Sequence, residues 1–169
     1  VTRLVYSLSK LLRIGLNRGR TMVTIEEELE HIRSYLIIQE VRYTDDFTYV
    51  IDIPDSMLKN KTLKLILQPL VENAIIHGVQ QSDKPERISI TATEEGPDIF
   101  FLVTNTGHTV DPQTVEQINR LFDEGIEAEF GLGLRNVNQR IKLYFGRQYG
   151  LHFSSDDGST TVSVHIPRI

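Results

Sequence analysis

The residues with the greatest chemical capacity lie together in Gln68-Pro69-Leu70-Val71-Glu72-Asn73-Ala74-Ile75-Ile76-His77-Gly78. Glu72 and Asn73 interrupt an otherwise apolar helical run, and His77 follows Asn73 by one turn on the same face. A carboxylate beside an amide needs polar partners wherever it is covered. One reading is a solvated outer face. The other is a hard-cation site, in which the amide oxygen ligates Mg2+ and the neighbouring carboxylate orients a water or a proton.

Two further segments carry possible chemistry. Asn105-Thr106-Gly107 closes a strand pattern. Such a triplet makes a turn, or, inside a cleft, its side chain reads the edge of a base. Gly131-Leu132-Gly133-Leu134-Arg135-Asn136-Val137 opens a helix with two glycines, which permits a plain junction or backbone amides close to an anion. The Walker pattern of phosphate-binding loops is absent, as are the eukaryotic kinase signatures. The five histidines (His31, His77, His108, His152 and His165) are scattered without metal-ligand spacing. His152 and His165 fall on the last two strands and read as sheet residues.

The elements that must position these segments follow from periodicity. Leu4, Leu8 and Leu11 mark a first helix over residues 1–16, and Ile25, Leu29, Ile32 and Leu36 a second, with Thr24 and Glu27 spaced as a capping box. The second stripe serves either the chain's own core or a coiled-coil-like seam between two chains. Alternation from Phe47 to Ile53 predicts a strand, and residues 63–77 a helix stopped by Gly78. Strands are expected at 87–93 and 99–104, joined by a turn at 94–97. Helices follow at 112–122, with Asp111 as N-cap, and at 132–145, then strands at 150–154 and 160–166. Hairpins with intervening helices predict an α+β sandwich, one mixed sheet covered by helices on one face.

Composition narrows the classes. In 169 residues, 18 Lys and Arg against 23 Asp and Glu leave a net charge of −5, a poor balance for gripping nucleic acid. There is no cysteine, so disulfides, thiolate metal sites and a cysteine nucleophile are excluded. No apolar run approaches the roughly 20 residues of a membrane span, and no membrane contact by these residues is expected.

Taken in order, the segments resemble the ATP-binding domain of sensor histidine kinases, within the ATPase family that includes gyrase and Hsp90-type chaperones. Leu67 to Ala74 with His77-Gly78 is similar to that family's N box, and Val103 to Gly107 falls where its G1 box belongs. Gly131 to Val137, followed by Gln139-Arg140-Ile141, resembles the G2 box, and Gly158-Ser159-Thr160 the final Gly-Thr box. Upstream, Glu28-Leu29, Tyr35-Leu36, Gln39 and Arg42-Tyr43 are similar to the YesM/LytS-type subgroup.

The resemblance implies a Bergerat-type two-layer α/β sandwich over residues 46–169. Residues 1–45 would form the end of a helical dimerisation and phosphoacceptor region. It implies ATP and Mg2+ as ligands, with Asn73 on the metal and Glu72 as the catalytic carboxylate. His77, Asn105, Gly107, Gly131, Leu132, Gly133, Leu134 and Thr160 would contact the nucleotide, under a lid over residues 122–130. The activity implied is transfer of the ATP γ-phosphate to a histidine upstream of this chain, then to a response regulator. The protein would be the cytoplasmic portion of a membrane-anchored, homodimeric sensor. No Pro-His-Phe-type acceptor motif occurs in the sequence. Three positions depart from the pattern: Asn105 replaces an aspartate, Thr109 stands near a usual glycine, and Ile76 occupies a position that is often basic. They predict weakened nucleotide affinity, and leave a non-catalytic signalling module of the same fold as the alternative.

Overall fold

A computed structural model of the chain describes residues 2–15, 19–124 and 132–169. In chain order the elements are α1 (Thr2–Gly15), β1 (Met22–Thr24), α2 (Ile25–Arg42), β2 (Phe47–Asp52), β3 (Lys61–Leu63), α3 (Leu67–His77), β4 (Glu86–Glu95), β5 (Asp98–Thr106), α4 (Pro112–Glu124), α5 (Leu132–Phe145), β6 (Gly150–Asp156) and β7 (Ser159–Pro167).

The expected capping box starts α2. Thr24 Oγ1 accepts from the Glu27 amide at 3.1 Å, and the Glu27 carboxylate accepts from the Thr24 amide at 2.8 Å. The bond from the Thr24 amide, aided by the Thr24 hydroxyl, holds the Glu27 carboxyl below its ordinary value. Ile25, Leu29, Ile32 and Leu36 are fully buried in one core with Leu67, Leu70 and Val71 of α3. The second apolar stripe therefore serves the chain's own core. On α1, by contrast, Val5, Leu8 and Leu12 stay exposed.

The main sheet runs β2-β4-β5-β7-β6, with β2 parallel to β4 and every other pair antiparallel. It is the mixed sheet of an α+β fold expected from the hairpin pattern. Alternation places Ile88, Ile90, Phe101, Val103, Val162 and Val164 in the core. The hairpin at Glu95 to Asp98 turns through Gly96 at φ +60.

Strand β6 lies at the sheet's edge, and its outward backbone groups are met by helix side chains. The Asn119 amide on α4 donates to the Phe153 carbonyl and accepts from the Phe153 amide, both at 2.8 Å. Asn138 on α5 accepts from the Leu151 amide at 2.8 Å and donates to the Phe122 carbonyl at 2.7 Å. Two asparagines thus satisfy an edge that would otherwise offer itself for pairing.

One local expectation is corrected. The helix expected from residue 63 begins at Leu67, because Lys61–Leu63 is strand β3, paired antiparallel with β1 in a separate two-stranded sheet. Leu65 then turns through the left-handed region, at φ +59, before α3 starts. Three-residue strands are too short to impose a period on a sequence, so this pairing left no signal.

Candidate functional site

Helix α3 is placed by α2. The buried Glu28 carboxylate accepts from the Leu65 amide at 2.9 Å and the Leu67 amide at 3.0 Å. An acid beside the exposed amides at a helix N-terminus satisfies them and suits the helix dipole. Leu67, Leu70, Val71, Ala74 and Ile75 then face the core. Glu72, Asn73 and His77 remain half-buried on the other side.

Glu72 is not left to solvent. Gln68, one turn earlier, donates from Nε2 to Glu72 Oε1 at 2.7 Å, and the Gln68 carbonyl oxygen in turn meets His31 Nε2 from α2. Tyr35, also on α2, has its phenol pushed up to about 12 by burial and by the nearby Glu72 charge. A helix whose stripe was read for packing therefore lies near the candidate catalytic carboxylate and is linked to it through Gln68.

Across the cleft, Asn105 is the next-to-last residue of β5 at 3% exposure, with its Nδ2 donating to the Thr106 carbonyl at 3.2 Å. Register places it between Ile88 of β4 and Thr160 of β7. Thr160 Oγ1 donates to the His108 carbonyl at 2.9 Å, and the Gly107 amide to the Gly158 carbonyl at 2.9 Å. Gly107 sits at φ +100, and a Cβ there would lie 2.2 Å from the Glu86 carboxyl carbon. Glu86 is itself buried and accepts from the Ser82 and Thr106 hydroxyls. Gly78 allows α3 to approach β5: a Cβ at this position would lie 2.6 Å from Asn105 Nδ2.

Between these walls lies a cavity of about 430 Å³, lined by Asn73, His77, Gln81, Asn105, His108, Thr109, Val110, Asp111, Thr114, Ile118, Phe153 and Thr160. Four of the residues singled out from the sequence (Asn73, His77, Asn105 and Thr160) meet there. Gly107 flanks it, and Glu72 adjoins Asn73 without lining it. Burial holds the His77 imidazole below its ordinary value, with His108 adding to the effect, so His77 is chiefly neutral near pH 7. The cavity thus joins an apolar wall of Val110, Ile118 and Phe153 to convergent polar groups, the usual make-up of a small-molecule site.

The described part of the G2-like segment, from Leu132 on, is not among the lining residues. Leu132 is 61% exposed, Leu134 is buried in the core, and a Cβ on Gly133 would lie 3.5 Å from Pro69 at the start of α3. Gly131 and residues 125–130 of the expected lid lie outside the described residues. The sequence reading missed Gln81, Val110, Ile118 and Phe153, single side chains contributed by separate elements. It also missed Glu28, His31 and Gln68 as partners of the site. A charged Glu28 on an apolar stripe was the one available signal.

Residues 59–169 match the sequence profile of the histidine kinase-, DNA gyrase B- and HSP90-like ATPases, and residues 1–47 that of a histidine kinase family. Sensor histidine kinase YpdA of Escherichia coli is 32% identical over 98% of this chain, and sensor histidine kinase YesM of Bacillus subtilis is 32% identical over 99%. The chain spans 28% of the length of each. In structure it resembles the catalytic domain of histidine kinase ThkA, with a TM-score of 0.64 at 17% identity over 88% of this chain and 95% of that one. It also resembles ThkA in complex with the response regulator protein TrrA, with a TM-score of 0.62 at 16% identity over 99% of this chain and 48% of that one.

Proposed function

This chain belongs to the histidine kinase-, DNA gyrase B- and HSP90-like ATPase family, and on that premise we propose that it is the ATP-binding catalytic part of a two-component sensor histidine kinase. The observation that carries this reading is the convergence of Asn73, His77, Asn105 and Thr160 on one cavity from three separate stretches of sequence.

The residues present suit Mg-ATP. Gly78 and Gly107 leave space that a Cβ would fill, and the buried Asn105 amide sits beside an apolar wall of a size to take a base. Asn105 Oδ1 accepts from the base's amino group, since Nδ2 is directed to the Thr106 carbonyl. Asn73 would hold Mg2+ through its amide oxygen, and the bound ion supplies charge neutralisation at the phosphates. Glu72 takes or polarises the proton of the attacking imidazole. That imidazole belongs to a histidine upstream of this chain, from which the phosphoryl group passes to a response regulator. The two-domain division, with residues 1–45 as helical region and 46–169 as catalytic domain, is part of the same proposal. So is homodimerisation through the helical region, supported by the exposed Val5, Leu8 and Leu12 of α1. Placement in the cytoplasmic portion of a membrane-anchored sensor completes it.

Specific observations favour one other reading, a non-catalytic module of the same fold. The base-reading position carries an amide in place of a carboxylate, Thr109 is tied to the Gly158 amide at 2.8 Å, and Ile76 is exposed where a basic residue is common.

Calorimetric titration with a non-hydrolysable ATP analogue, with and without Mg2+, separates the two. The kinase reading expects saturable, Mg2+-strengthened binding whose metal-dependent part is lost in Asn73→Ala. It also expects phosphoryl transfer to an acceptor domain supplied separately. No binding at millimolar nucleotide, with no transfer, leaves the module reading.

A further inference from the structure

Resting on Glu72 as the catalytic carboxylate, we propose that Gln68 and His31 are positioning residues that hold it in its working orientation and tie it to α2. Gln68 Nε2 donates to Glu72 Oε1 at 2.7 Å. An ionised carboxylate only accepts, so this bond sets which way round the Gln68 amide lies. Its carbonyl oxygen then faces His31 Nε2, which must carry the proton to donate to it. The relay runs in one direction, from imidazole N–H to amide carbonyl and from amide N–H to carboxylate.

Two features show that the geometry is built. His31 is 3% exposed, and its other ring nitrogen, Nδ1, is buried with no hydrogen-bond partner among the described residues. That orphan is tolerable for a bare nitrogen and costly for an N–H, which again selects the Nε2-protonated form. Gln68 lies a single turn before Glu72, so Glu72 Oε1 is engaged on its own helix, while Oε2 makes no hydrogen bond among the described residues and can face the reacting proton. The partner across the interface belongs to α2, the helix that also caps α3 through Glu28. A rotation or slide of α2 that withdrew His31 would free the Gln68 amide to turn, and with it the carboxylate. The relay is therefore a path from the helical segment to the chemistry.

The test has two arms. In the nucleotide-free chain, NMR of the imidazole nitrogens should show His31 protonated at Nε2 and bare at Nδ1, a preference lost in Gln68→Met. In the transfer assay, Gln68→Met should lower kcat by about ten-fold, a fraction of what a general base supplies, with KM for Mg-ATP nearly unchanged. In a Glu72→Gln background the same substitution should cost nothing further. His31→Phe should act in the same direction and His31→Gln, which restores a donor, should recover part of the rate. If His31→Phe does not fold, Gln68→Met at its half-buried position carries the test. An Nδ1-protonated His31, a change confined to KM, or an additive loss without Glu72 would overturn the proposal. If Glu72→Gln alone leaves turnover intact, the failure lies in the catalytic reading, and the tautomer still decides whether the relay exists.

Discussion

Replacing Glu28 by alanine should loosen the helix that carries the site. The substitution strands the amides of Leu65 and Leu67, which the carboxylate now accepts at 2.9 and 3.0 Å in a setting that leaves Glu28 2% exposed. A buried donor without a partner costs about 1–3 kcal/mol. The lost charge at the helix N-terminus adds about 0.5–1 kcal/mol. Relief from burying the carboxylate offsets part of this, leaving a destabilisation of about 3–4 kcal/mol out of a total typically near 5–15. Glu28→Gln keeps the size and one accepting oxygen and should lose about half as much. Urea unfolding followed by circular dichroism measures both, and the midpoint should fall at constant slope.

The pH dependence has a definite sign. Burial raises the Glu28 carboxyl above 4.5, although the Leu67 and Leu65 amides pull it down. The native state thus binds this proton more tightly than the unfolded chain. The stability that Glu28 contributes is complete below the unfolded value near 4.5 and declines as pH rises through the native one. The gap between the wild type and Glu28→Gln should therefore narrow with rising pH. A Glu28→Ala cost under about 1 kcal/mol, the lower bound for a single orphaned donor, would refute the capping argument. A gap that widens with pH would instead show that the capping bonds outweigh burial at Glu28.

Two further substitutions test the proposed base-reading wall. Asn105→Asp should tighten adenine nucleotide binding by about ten-fold in calorimetry, because a charged acceptor makes a hydrogen bond roughly twice as strong as a neutral one. Unchanged or weaker binding would mean that Asn105 does not face the base. Gly107→Ala should cost about 2–4 kcal/mol of stability, since it adds a Cβ at φ +100 and 2.2 Å from the Glu86 carboxyl carbon. Nucleotide affinity should fall with it, and a variant as stable as the wild type would show that Glu86 moves aside freely.

Much of this protein is legible along the chain. The Thr24 and Glu27 capping box, the β4–β5 hairpin, the Asp111 start of α4 and the last two strands follow from contacts within a few residues. Such contacts leave a period or a cap in the sequence because they depend only on neighbours. Glu72, Asn73 and Asn105 stood out as candidates for a related reason: polar groups closing apolar segments contrast with their setting.

The tertiary structure alone decided what those groups meet. Ile25, Leu29, Ile32 and Leu36 have a spacing that fits a core or a seam equally, and only packing against α3 made them core. Leu63 belongs to a strand because Met22–Thr24 lies beside it, and Leu65 breaks the helical reading in order to present its amide to Glu28. The His31, Gln68 and Glu72 relay spans 37 residues between its first two members. A hydrogen bond across that distance costs no residue its local preference and so leaves no periodic trace. Which helices lie together is set by the total apolar surface that can be removed from water, a property of the whole chain that no local window contains.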